Sequence, residues 1–167
     1  MNSKQVVAAV SAVILVVILV YPSVSVGAVS VSLQSAGINK ADHVYITIDS
    51  VWAHQKGQAT GEGWKVVFNQ SVSVDLVSLE SSAKLIGTGQ IPSGDYDSIR
   101  IQVSNVTWVF NKTTAPLGIA SPEVDGTLDF TVGTGKGTNI LITLFSQQQM
   151  IANSQYYTAI MSATKTS

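Results

Sequence analysis

The residues of this 167-residue chain best suited to chemistry are two histidines, ten carboxylates and a glycine-rich hexapeptide, and their spacing speaks against catalysis. His43 and His54 stand eleven positions apart, with Asp42 and Asp49 near them. Zinc binding or general-base work needs ligands converging at restrictive spacings, and no HExxH, HxH or His-Asp-Ser pattern surrounds either ring. Asp95 and Asp97 flank a turn, as calcium ligands do, yet no acidic loop with a downstream glutamate encloses them, so turn capping is the expected role. Gly133-Thr134-Gly135-Lys136-Gly137-Thr138 has the composition of a phosphate loop but lacks the Walker spacing and precedes a strand pattern rather than a helix. A hairpin loop is expected there. With no nucleophile set beside a base, the chain reads as a non-enzyme with no catalytic residues, no metal and no cofactor.

Two other kinds of chemistry remain open to it. Asn69-Gln70-Ser71, Asn105-Val106-Thr107 and Asn111-Lys112-Thr113 are N-glycosylation sequons. Asn69 and Asn111, in turns, make better acceptors than Asn105, late in a strand. Trp52, Trp64 and Trp108, with Tyr45, Tyr96, Tyr156 and Tyr157, are residues that stack on sugar rings, although sandwich cores use the same types. Trp52 shares the parity of Val44, Ile46 and Ile48 and is expected inside. Trp108 has the opposite parity to Ile99, Ile101 and Val103, which makes it the candidate ligand contact.

The elements that must position these residues are short strands. Val29-Ser30-Val31-Ser32-Leu33 alternates with period two and places Val29, Val31 and Leu33 on one face. Further strands are expected at 44–54, 64–68, 72–76, 99–103 extended through 107–110, 127–132, 139–145 and 156–163, with a loop at 113–125. The stretch 79–86 fits neither the helical nor the strand period. Pro92 and Gly94 suit a tight turn that opens the longest strand, and Tyr96 is placed to fold its ring over the sandwich edge. Arg100 then points outward, toward a structural ion pair with Asp95, Asp97 or Asp75.

Ahead of these strands lies an uncharged apolar run at 6–20, after Lys4 and before Tyr21-Pro22-Ser23. As a helix it covers about 22 Å, short of the roughly 30 Å hydrocarbon core, and with the small residues of Val26-Gly27-Ala28 it reads as a secretory signal. Residues 1–28 are therefore expected to be a signal peptide or membrane anchor, and 29–167 one domain exported through the Sec pathway. Charged residues are 11% of the chain and the net charge is −1, which leaves no basic face for nucleic acid. An exported chain without cysteine cannot use disulfides, so sheet packing must hold it. The expected fold is all-β, a single sandwich of about 7–9 strands behind an N-terminal hydrophobic helix.

Val74-Asp75-Leu76-Val77-Ser78-Leu79, followed by Ile91-Pro92-Ser93-Gly94-Asp95-Tyr96-Asp97-Ser98-Ile99-Arg100-Ile101, resembles the centre of the prokaryotic family DUF4382, whose pattern is a "DLL.L" strand and then "lpaGxYxxIRL". Val44-Tyr45-Ile46-Thr47-Ile48-Asp49-Ser50-Val51 is similar to its "V.VTI..V.V" strand, so the resemblance spans 29–103. Where the family commonly has an Asp-Ala-Pro turn, this chain has Gln34-Ser35-Ala36-Gly37. The resemblance implies an exported or lipid-anchored prokaryotic sandwich, prealbumin-like or immunoglobulin-like, with no established chemistry, and an archaeal host is expected. The chain has no cysteine to carry a lipid.

The function expected from these readings is a non-enzymatic extracellular structural subunit of the cell surface. Its partners are copies of itself or other surface proteins, with N-linked glycans, and it meets the membrane only through the N-terminal segment. Val29, Val31 and Leu33 are the candidate strand-exchange residues, inserting into a groove of a neighbouring sandwich in a filament or pairing within their own domain. The alternatives are a pilin-like subunit that retains its helix and a carbohydrate- or peptide-binding surface module.

Overall fold

The alternation of Val29, Val31 and Leu33 with serines becomes the first strand of a two-sheet sandwich in the computed structural model, which describes residues 25–38, 41–151 and 154–166. The apolar run at 6–20, expected as a helix, lies outside the described residues. No helix among the described residues is long and apolar enough to cross a membrane. Eleven strands are described in chain order: β1 (Val26–Ala36), β2 (His43–Gln55), β3 (Trp64–Phe68), β4 (Val72–Asp75), β5 (Lys84–Pro92), β6 (Gly94–Phe110), β7 (Thr113–Pro116), β8 (Gly118–Ile119), β9 (Glu123–Val132), β10 (Gly137–Ile151) and β11 (Ser154–Thr166). The count exceeds the expected number because β7 and β8 form inside the stretch read as a loop. Residues 79–86, which fit neither period, run from the end of a 3₁₀ turn at Val77–Leu79 through an irregular link at 80–83 into the start of β5.

One sheet has the order β5-β1-β10-β11-β8. The other has the order β3-β2-β6-β7, with β4 also pairing β2 and β9 also pairing β6. Apolar residues of both inner faces meet in one core, to which β1 contributes Val29, Val31 and Leu33, each 0% exposed. β1 is hydrogen-bonded on both sides within its own chain, antiparallel to β5 and parallel to β10. Of the two arrangements open to the strand-exchange residues, this structure has pairing within the domain. β1 begins at Val26 rather than Val29, and the Ala28 amide donates to the Lys136 carbonyl. A cut after Ala28 would remove its first three residues.

The Gly133–Gly137 stretch is not a hairpin loop. It carries the chain from β9 in one sheet to β10 in the other, because β9 pairs β6 while β10 pairs β1. Its backbone bonds to β1 instead, with Gly135 N–H donating to the Val26 carbonyl. At the open side of the sandwich β3 crosses over β5, and a Cβ on Gly89 would lie 1.6 Å from the Val67 carbonyl oxygen. Glycine permits that approach. At the corner leading into β6, Gly94 takes φ 152°. Tyr96 is fully buried against Phe130 at 5.2 Å and donates its hydroxyl to the Pro92 carbonyl at 2.7 Å, a tyrosine corner that ties the turn to the strand after it. Burial raises its phenol pKa.

Candidate functional site

Two β-bulges decide which aromatic residues reach the surface. In β2 the register shifts between Ile48 and Ser50, so Val51 and Ala53 turn inward and Trp52 turns outward, opposite Arg100. In β6 the shift between Val103 and Asn105 sends Ser104 and Asn105 outward and brings Val106 back to the core. Trp108 follows Val106, pairs with the buried Val44 and packs against the core. Both parity expectations are thereby inverted: Trp108 is partly buried against the core, and Trp52 is the one that turns outward. An extra residue in a strand flips every later side chain to the other face.

On the outer face of the six-stranded sheet, Trp52, His54, Trp64, Asp97, Arg100, Glu123 and Asp125 form a continuous row across β3, β2, β6 and β9. Arg100 makes a bidentate bond to Asp125, with Nε 2.6 Å from Oδ1 and Nη2 2.8 Å from Oδ2. It also pairs with Glu123 at 2.8 Å and lies 4.3 Å over the Trp64 ring. The hydrogen bond to Asp125 raises the arginine pKa further. The expected structural ion pair is present, with partners from β9 rather than Asp95, Asp97 or Asp75. Trp52 donates its indole N–H to Ser50, whose hydroxyl bonds Gln102.

His54 is 7% exposed and both its ring nitrogens face acceptors, Nδ1 at 2.8 Å from Asp97 and Nε2 at 3.2 Å from the Ala59 carbonyl. Since neither acceptor can donate when Asp97 is ionised, the geometry is that of an imidazolium. The Asp97 hydrogen bond holds the His54 pKa above its ordinary value, and the same bond holds Asp97 below the usual carboxylate range. His54 thus clamps the loop after β2 onto the sheet.

Beside it, Lys56, Asp95, Tyr96, Asp129, Phe130 and Thr131 line a cleft of about 290 Å³. Lys56 bonds Asp129 at 2.8 Å, which raises the lysine pKa, and Thr131 donates to Asp95 at 2.6 Å. The other histidine, His43, pairs with Asp75 at 2.8 Å, and Asp75 also accepts the amides of Val44 and Val77. No group of three or more metal-ligating side chains converges among the described residues. These polar groups bond one another and hold strands and turns in register.

The sequon asparagines are all exposed on the six-stranded sheet or its turns. Asn69 lies between β3 and β4. Asn105 is turned outward by the β6 bulge, and Asp49 bridges the two regions by accepting from Ser71 at 2.8 Å and Ser104 at 2.9 Å. Asn111, at φ 48°, and Lys112, at φ 64°, are the two central residues of the β6–β7 hairpin. Asn105, expected to be a lesser acceptor than Asn69 and Asn111 because it falls late in a strand, sits at the bulge and is exposed. The row around Arg100 and His54 was not legible as a cluster, because its members come from four strands whose pairing the sequence does not state.

The fold is that of an all-β domain of two packed sheets, and a family match makes the placement specific. Residues 26–159 match the family described as "Domain of unknown function (DUF4382)", and the chain belongs to it. The match begins where β1 begins and runs well past 103, into β11. No curated protein and no solved structure matches the chain.

Proposed function

We propose that this protein is a non-enzymatic structural domain displayed at the cell surface, in which β1 couples the apolar N-terminal run directly to the core. The observation that carries the reading is the position of β1. The strand that immediately follows the apolar run and its boundary is an interior strand of the five-stranded sheet, bonded on both sides, with three fully buried side chains. A load on the N-terminus is therefore carried by two ladders and the core, not by a peelable edge. The charged groups on the opposite sheet support the same reading, since they cross-link strands. A sandwich of the immunoglobulin-like or prealbumin-like kind suits this use, and the three exposed sequons would carry N-linked glycans. Protease treatment of intact cells tests the proposal: the domain is expected to be cleaved or released without lysis, and protection until lysis would refute surface display.

A second reading, assembly by strand exchange, draws on the same strand. The contacts β1 makes at home would be recovered in a neighbour, so exchange is near neutral once β1 is withdrawn. Withdrawal itself exposes Val29, Val31 and Leu33, at about 1.5–3 kcal/mol each. A chain lacking 26–36 that folds and binds a 26–36 peptide would support exchange; a chain that stays unfolded with the peptide would exclude it.

A further inference from the structure

The two outer faces of the sandwich differ in chemistry. The six-stranded sheet carries the ion pairs and the sequons, whereas the outward positions of the five-stranded sheet carry no charged residue among the described residues. They are mainly Ser, Thr, Ala, Asn and Gln, with Leu85, Leu141, Phe145 and Ile160 as the large apolar members. Leu85, Phe145 and Ile160 are 58%, 41% and 51% exposed, and Phe145 and Ile160 are directly opposite one another across the β10–β11 ladder.

We propose that this charge-free face is a self-association surface that packs against the same face of a second copy. Three observations favour a copy over another partner. Ser, Thr, Asn and Gln side chains each both donate and accept, so a face built of them is complementary to itself under a twofold axis. An interface core is depleted of charge, as this face is, while a surface of ordinary composition is not. Four strands at about 4.8 Å spacing and nine residues at about 3.3 Å rise give about 570 Å² per copy, so a pair buries about 1,100 Å², just above the roughly 1,000 Å² that a biological interface must clear. The sequons on the other sheet leave this one free of any glycan they carry.

The pairing deepens the structural reading by naming its partner, and it stands or falls in solution whether or not the domain is displayed. The chain has no cysteine, so single-cysteine variants report faces cleanly. In the full-length chain, solubilised in detergent, Ser162→Cys is expected to form a disulfide-linked dimer under mild oxidation. Ser104→Cys, exposed on the opposite face, is expected to stay monomeric. Adding Ile160→Lys to Ser162→Cys is expected to abolish the dimer with an unchanged melting curve. Equal cross-linking at Ser162 and Ser104, no cross-link at Ser162, or a Ser162 dimer that survives Ile160→Lys would each overturn the proposal.

Discussion

Replacing Gly89 by alanine tests how the sandwich closes along its β3–β5 side. The added Cβ would stand 1.6 Å from the Val67 carbonyl oxygen, where real Cβ contacts essentially never fall below 3.0 Å. The obstacle is backbone and cannot rotate away, so β3 and β5 must part by about 1.5 Å, more than the gap that forfeits a quarter to a half of the dispersion contact. Overpacking against an immovable neighbour costs about 2–3 kcal/mol, which in a domain of this size lowers Tm by about 5–10 °C. Gly137→Ala is the matched control, because nothing lies within 4 Å of its Cβ. Thermal and urea unfolding of both variants measure the difference. If Gly89→Ala unfolds within about 0.5 kcal/mol of Gly137→Ala, β3 does not cross β5 at this point and the close-approach reasoning fails.

Other perturbations have equally definite outcomes. His54→Gln removes a clamp whose folded-state pKa is raised, so the stabilisation is fully present below the ordinary histidine pKa and disappears as pH rises through the folded one. The wild type should lead the variant most in mildly acidic buffer and converge with it under alkaline conditions, as read by urea midpoints across pH; a constant gap would rule out the imidazolium. On the acid side the lead shrinks again only when the depressed pKa of Asp97 is crossed. Arg100→Lys keeps the charge but loses the bidentate bond to Asp125 and the stacking on Trp64; about 1 kcal/mol of stability is expected to go, and no loss would show the pair to be inert. Trp108→Ala is expected to destabilise by about 3 kcal/mol, and near-neutral stability would return Trp108 to the surface.

Which parts of this fold were legible follows from where the period-two pattern holds. Val29 to Leu33 and Ile99 to Val103 alternate without interruption, and both are core strands with the expected faces. The Pro92, Gly94 and Tyr96 corner was readable because each residue answers a local backbone demand. Trp52 and Trp108 were misplaced for one reason, since a bulge adds a residue without leaving a compositional mark: Asp49-Ser50 and Ser104-Asn105 read as ordinary alternation until pairing is known. The Gly133–Gly137 turn read as a hairpin because turn chemistry fixes the bend and not the sheet to which the next strand goes. The Arg100 partners were missed for the same reason: Glu123 and Asp125 lie in a stretch read as loop, and only the β6–β9 pairing brings them alongside.

The measurement that reaches the central claim most directly is intact-mass and N-terminal analysis of the native protein in washed cell-surface material. If the domain is a surface structural unit coupled through β1, the chain is expected in that fraction with its first residue at or before Val26, so that the strand is whole. A chain confined to the cell interior, or one that begins beyond Val26 and so lacks the start of β1, would contradict it.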